Sequence, residues 1–272
     1  MDIADKVFVV TGAGNGIGRE VTLEILRRGG VVAGLDVDSE GLADTAALAE
    51  GFDEKFLPLT VDITKRRLVE ALPKKIEKAL GPVDGVVNVA GIIQPFVRVN
   101  DLDFDAIERV MAVNFIGPLT LIKTFLPGLL TRPEAHITNV SSMGSYAPVP
   151  GQTIYGASKA AINLLSEGLR SELRESAVHV TVVYPGAIGT NIAANSGLDM
   201  SGVDTESSER KTVEPAEAGK AIVEAIEANK KRTLIGSDAS TMWWANRVSP
   251  DLASNLIYQG MKDLLPPSPV KD

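Results

Sequence analysis

The chain has 272 residues, 44% of them hydrophobic and 23% charged, which is long for one domain and short for two. Its formal net charge of -8, with no cluster of five or more Lys or Arg, argues against nucleic acid as a partner. The absence of cysteine excludes disulfides and thiolate metal sites, and no uninterrupted apolar run nears the roughly 20 residues of a membrane span.

The first residues, Met1-Asp2-Ile3-Ala4-Asp5, carry neither the basic nor the apolar region of a signal peptide, so a cytoplasmic protein is expected. The two histidines, His136 and His179, open apolar runs far apart in sequence. Both read as structural, and no metal is expected.

Lys6 to Val10 is a short β-branched run that reads as a buried strand. Thr11-Gly12-Ala13-Gly14-Asn15-Gly16-Ile17-Gly18 follows, and Arg19 to Arg28 has a helical pattern. Strand, glycine turn and helix are the context of a dinucleotide-binding loop. Glycines allow the tight turn, and the helix start offers unpaired N–H groups to a pyrophosphate. Spacing G-x-G-x-x-G fails, because Ile17 takes the last glycine position; T-G-x-x-x-G-x-G fits through Thr11, Gly12, Gly16 and Gly18.

Val31 to Leu35 is the second strand and ends in Asp36, 24 residues after Gly12. An acidic residue about 20 positions on binds the adenine ribose. A carboxylate there accepts from the 2′-OH and repels a 2′-phosphate. No basic residue stands in Val37-Asp38-Ser39-Glu40, so NAD is expected. Phe56 to Val61 is the third strand, leading to Asp62-Ile63, and Lys65 to Leu80 reads as one helix containing Pro73. Gly85 to Val89 is the fourth strand, before Ala90-Gly91. Asp103 to Leu130 is mostly helical in pattern, interrupted by Pro118 and Pro127, and sets Asn114 in an apolar stretch. A buried amide needs partners, so Asn114 either caps a local irregularity or holds water.

The fifth strand, Ala135 to Val140, ends in Ser141-Ser142, and a helix over 152–175 carries Tyr155 and Lys159. Residues i and i+4 share a helix face. A free phenol has a pKa of about 10, and a nearby positive charge favours its anion. With a serine from the strand end this makes a proton-transfer site. The helix is also rich in small residues (Gly156, Ala157, Ala160, Ala161) that let another helix approach. His179 to Tyr184 is the sixth strand, followed by Pro185-Gly186-Ala187-Ile188-Gly189-Thr190. A polar stretch after it reads as a lid loop over 190–212 with one short helix. Val213 restarts a helix to Asn229, Arg232 to Ile235 is the seventh strand, and 266–272 is an extended proline tail. Alternating strands and helices without a linker predict one α/β domain over 1–265, a doubly wound (Rossmann) fold. Its sheet should be seven-stranded and mostly parallel, with helices on both faces.

In its glycine turn, and in Ser142 thirteen positions before a Tyr155-x-x-x-Lys159 motif, the chain resembles the short-chain dehydrogenase/reductases. The resemblance runs from about Lys6 to Ala239. It implies an oxidoreductase that moves a hydride reversibly between NAD and a secondary alcohol or ketone. Ser142, Tyr155, Lys159 and Asn114 would be catalytic, with Asn114 holding a helix kink and a water beside Lys159. Ser141 is second choice to Ser142. The resemblance assigns Gly12, Asn15, Gly16, Ile17 and Gly18 to the pyrophosphate end. Asp62 and Ile63 go to the adenine, Asn88, Ala90 and Gly91 to the ribose region, and Tyr155, Lys159, Pro185, Gly186, Ile188 and Thr190 to the nicotinamide half. Position 15, often basic in NADP-preferring relatives, is Asn15, which again favours NAD. The family's second asparagine is replaced by Val89, from which a local packing change is expected. A non-catalytic nucleotide-binding member would be expected to lack the tyrosine or the lysine. The Tyr–Lys helix pairs with a symmetry mate in relatives, which implies a homo-oligomer, dimer or homotetramer. The expected substrate wall is Ile93, Gln94, Met143, Gly144, Val149 and Gln152, with Pro185 and the lid. It is mostly apolar and has no Arg or Lys, which suits a hydrophobic secondary alcohol.

Overall fold

The computed structural model describes residues 1–190, 192–197, 212–262 and 265. Seven strands form one sheet: β1 (Val7–Thr11), β2 (Val31–Asp36), β3 (Phe56–Thr60), β4 (Gly85–Asn88), β5 (Ala135–Val140), β6 (Val178–Pro185) and β7 (Arg232–Ile235). Their order is β3-β2-β1-β4-β5-β6-β7. Every pairing is parallel, so the sheet expected to be mostly parallel is wholly so.

A parallel sheet is covered on both faces, and its strands are apolar on both. Within β1, Val7 and Val9 point into one core with Leu121, Phe125 and Leu129. Phe8 and Val10 point into a second core with Ile25, Ile222 and Ile226. The second face is covered by α1 (Gly16–Arg27), α2 (Ser39–Leu48) and α9 (Pro215–Glu227). The first is covered by α4 (Leu72–Leu80), α6 (Gly117–Leu129) and α7 (Thr153–Glu172).

The helix expected over Lys65–Leu80 is two pieces, α3 (Arg66–Glu70) and α4, joined at Ala71. Pro73 has no N–H to continue an α ladder, and it sits in the first turn of α4, where none is needed. α5 (Phe104–Met111) runs through a π-helical turn, Ala112–Ile116, into α6. This continuous Phe104–Leu129 helix is, by length and composition, apolar enough to cross a membrane. Its Leu121, Ile122, Phe125 and Leu129 serve the sheet core instead.

A short α8 (Ile192–Asn195) falls in the expected lid, and the rest of that stretch, 191 and 198–211, lies outside the described residues, as does the tail 266–272. Two helices close the chain, α10 (Ser237–Val248) and α11 (Pro250–Met261). β1 and β4 are neighbours from which the chain winds in opposite directions, and a crevice opens there at the carboxyl ends of the strands.

Candidate active site

The crevice is a cleft of about 390 Å³. Of the expected cofactor residues, Gly12, Asn15, Gly16, Ile17, Gly18, Asp36, Asp62, Ile63, Ala90, Gly91 and Thr190 line it. Gly12 and Gly16 turn the chain at φ of 72 and 51, left-handed values that suit glycine. A Cβ on Gly18 would lie 2.0 Å from the Gly12 carbonyl, so the loop can fold onto the start of α1 only with glycine there. Asn15, the N-cap of α1, makes no side-chain cap, and the helix start faces the cleft with its N–H groups available. Thr11 Oγ1 accepts from Val89 and Ala90 N–H, both at 3.0 Å, and ties the loop to the end of β4.

Asp36 stands at the end of β2. Its Oδ2 accepts from Gly14 N–H at 2.9 Å and its Oδ1 from Asp38 N–H at 3.0 Å. Arg19, the basic side chain directly after the glycine turn, is bonded to Thr45 Oγ1 and the Gly14 and Gly41 carbonyls. Asp62 accepts both N–H and hydroxyl of Thr64. These residues fit a dinucleotide: a glycine cradle with no room for side chains, a helix start, and a ribose-height carboxylate. Leu35, Val37, Val61, Thr64, Val113, Arg109, Ile192 and Asn195 also line the cleft and were not expected. The Arg109 and Asn195 positions carry no motif by which sequence could single them out.

Gly91 connects the cleft to the proton-transfer group. A Cβ there would lie 3.0 Å from Lys159 Nζ and 3.4 Å from Asn114 Oδ1. Lys159 is 4% exposed, its Nζ donates to the Val140 carbonyl at 3.0 Å, and it lies 5.9 Å from the Tyr155 ring centroid. Burial lowers its pKa to about 8. Tyr155 is shifted up by burial, and a hydrogen bond from Ser142 pulls the other way. Where Lys159 was expected to depress the phenol, burial is the larger effect and the shift is upward. Ser142, not Ser141, faces the phenol. Ser141 Oγ is buried and donates to the Lys159 carbonyl at 2.8 Å. Asn114, in the π turn, grips Ile92 in both directions at 2.9 Å and donates to Ser158 at 3.0 Å. It satisfies its amide on the irregular backbone, as the apolar setting required.

Three expected positions act elsewhere. Asn88 does not line the cleft; it is buried and donates to Asn139 Oδ1 at 2.8 Å, so it ties β4 to β5 and Val89 takes the cleft side. Gln94 and Gln152 are buried and bonded to one another's surroundings: Gln152 Nε2 donates to the Gln94 carbonyl, and Gln94 Oε1 accepts from Ile154 and Tyr155 N–H. Ile93, Met143, Gly144 and Val149 are half-buried, and Gly144 lies against Ser142 and Tyr155. Pro185 ends β6, Gly186 follows it, and Ile188 pairs with Val213 on the way to Thr190. Asp238, which sequence gave no reason to choose, accepts from Ala187 N–H at 2.7 Å and braces this turn.

Far from the cleft, His136 is buried at about pKa 3 through burial and the neighbouring His179, with Nε2 on Thr181 at 2.8 Å. No group of three or more His, Asp or Glu able to hold a metal occurs among the described residues.

A family model of short chain dehydrogenases matches residues 6–201. The oxidoreductase EphD of Mycobacterium tuberculosis is 34% identical over 258 residues, covering 90% of this chain but only 43% of its own length. The oxidoreductase SadH of the same organism is 33% identical over 269 residues, covering 96% of this chain and 97% of SadH. Among solved structures, a short chain dehydrogenase from Burkholderia cenocepacia in complex with NADP is 25% identical, with a TM-score of 0.79, covering 94% of this chain and 99% of that one.

Proposed function

The chain belongs to the short-chain dehydrogenase family of oxidoreductases, and from that premise we propose that it is an NAD-dependent enzyme interconverting a hydrophobic secondary alcohol and its ketone. The observation that carries this reading is the junction at Gly91, where the glycine-lined cleft meets Lys159 and Asn114, one helical turn from a Tyr155 bonded to Ser142. NAD, when bound, supplies the hydride acceptor and its reduced form the donor. The cofactor residues named above would hold it, with Asp36 favouring the unphosphorylated ribose; Arg19, the basic group that could welcome a 2′-phosphate, is bonded to Thr45 and Gly14. The Burkholderia relative holds NADP, so the preference rests on this chain's own residues.

Ser142 would hold the substrate oxygen beside Tyr155, and Tyr155 would give a proton to it in reduction or take one in oxidation. Burial shifts the phenol up, so oxidation, which needs the anion as base, should quicken as pH rises. Lys159 and Asn114 carry the proton relay to solvent. With Gln94 and Gln152 occupied, the wall left for substrate is Ile93, Met143, Gly144 and Val149, which favours an apolar substrate. A homo-oligomer through α7 is part of this reading, supported by an outward Leu164 that is 74% exposed.

The test is nicotinamide absorbance with NAD and then NADP across a panel of hydrophobic secondary alcohols and ketones, using Tyr155→Phe as control. Turnover with NAD that the variant loses, while calorimetry finds its NAD affinity within about threefold, supports the reading. Equal turnover in the variant overturns it.

A further inference from the structure

Ile154 and Tyr155 are the second and third residues of α7, so their N–H groups have no partner inside the helix. Gln152, at the cap position, gives no side-chain cap. The acceptor comes from another part of the chain. Gln94, fully buried in the segment after β4, receives both N–H groups on Oε1, at 2.8 Å from Ile154 and 3.0 Å from Tyr155. Its backbone carbonyl takes Gln152 Nε2 at 2.7 Å. Its own Nε2 is buried without a partner, so the side chain is held by its oxygen alone. Just upstream, Ile92 is gripped by Asn114 and Ile93 N–H donates to Ser196 Oγ at 2.9 Å. A hydrogen-bonded bridge therefore runs from Gly91, at the cleft, to the first turn of the helix that carries Tyr155.

We infer that Gln94 is a positioning residue for Tyr155, capping the catalytic helix from outside and setting the tyrosine's height against the cleft. The inference rests on the reading of Tyr155 as the proton-transfer group. Its physical basis is that Gln94 Oε1, on a fully buried side chain, is the acceptor these two half-buried N–H groups have, so removing it leaves both without their protein partner and the first turn free to shift. Reacting groups tolerate little shift: a misplacement of about 1 Å costs on the order of a hundredfold in rate. The charged group beside the Tyr155 ring is Lys159, from the same helix, and Ser142 is its hydrogen-bond partner.

The test pairs Gln94→Met, which keeps length and loses the acceptor, with Gln94→Glu, which keeps the acceptor and suits a helix start. Gln94→Met should lower kcat by about ten- to a hundredfold, with KM and the NAD dissociation constant within about threefold. Gln94→Glu should recover most of kcat and move the alkaline limb of oxidation to higher pH, since a negative charge disfavours the phenolate. Unchanged kcat in Gln94→Met overturns the inference. So does a loss shared equally by kcat and NAD affinity in both variants, because that would be structural damage alone. A second measurement needs no substrate: phenolate absorbance titrated against the Tyr155→Phe protein. Loosening the first turn should admit water, and the Tyr155 midpoint in Gln94→Met should fall toward the ordinary tyrosine value; an unmoved midpoint overturns the inference. If wild type turns over no alcohol or ketone, the proposed reaction fails, and this titration still decides the role of Gln94.

Discussion

Lys159 carries a cost in its placement. It is buried, its ammonium has one carbonyl as hydrogen-bond partner, and its pKa falls from 10.5 to about 8. A lowered pKa means that the folded state holds fewer protons than the unfolded one between pH 8 and 10.5. Stability should therefore rise with pH in that window, and the full cost is present below it. At 1.36 kcal/mol per unit the cost at neutral pH is at most about 3 kcal/mol. Lys159→Met should accordingly gain stability at pH 7, lose turnover, and flatten the rise between pH 8 and 10. Above pH 10 the tyrosines oppose the trend, because Tyr155 and Tyr184 titrate above the free phenol and their ionisation favours unfolding. Denaturant unfolding of both proteins at pH 7 and 9.5 checks this; a variant less stable than wild type at pH 7 refutes it. Asp36 makes a second residue-scale prediction. Asp36→Ala removes the carboxylate that fixes the Gly14 and Asp38 N–H groups. It should weaken NAD binding by about tenfold, the scale of one charged hydrogen bond, and narrow the NAD/NADP gap, as measured by calorimetry with both cofactors. At this scale sequence placed residues well where a motif fixes their spacing. Tyr155, Lys159, Ser142 and Asp36 stand where spacing put them. It served poorly for amides: Asn88, Gln94 and Gln152 can cap, tie strands or meet ligand equally well, and only the fold supplies their partners.

Between elements, the turn after β6 shows how a site is held from a distance. A Cβ on Gly186 would fall 2.0 Å from Asp238 Oδ1, and Ala187 N–H donates to Oδ2. The first turn of α10 therefore grips the Pro185–Thr190 turn that leads to the cleft. Removing a charged acceptor from an N–H costs about 1.5–3 kcal/mol. Asp238→Ala should weaken NAD binding by ten- to a hundredfold, with Asp238→Asn between it and wild type; calorimetry that finds both variants at wild-type affinity sinks the coupling. Sequence could not show this contact, because Asp238 lies 51 positions from Ala187 and belongs to no motif. The aromatic contacts of α10 were hidden for the same reason: Trp243 packs on Tyr146 and Tyr184, at 5.0 and 5.1 Å between centroids, across three separate segments. The irregularity at Asn114 was legible because an amide in an apolar run needs partners, although not its form, a π turn closed on Ile92. The break at Ala71 was missed because Pro73 was read as lying inside one helix rather than as a first-turn residue of a second.

For the molecule as a whole, strand–helix alternation gave the doubly wound sheet, because β-branched runs ending in turns have few other ways to bury both faces. What alternation does not settle is which outer surface is left for another copy. The proposed homo-oligomer would use helix α7. Its inner residues Ser158, Lys159, Ile162, Ser166 and Leu169 are buried, yet Leu164 is 74% exposed, and a Cβ on Gly168 would meet nothing within 4 Å. On the neighbouring α5, Phe104 is 79% exposed. Large apolar groups beside open glycine and alanine positions are poorly placed in water and well placed against a second helix. The proposed homo-oligomer would cover them. Leu164→Arg should then shift the species seen by light scattering on a sizing column toward the monomer. Tyr155 and Lys159 project from the buried side of the same helix, so a monomeric variant should also lose thermal stability and some turnover as α7 loses its outer support. A wild-type protein that elutes as a monomer, or a Leu164→Arg protein with unchanged mass, would place the interface elsewhere or remove it.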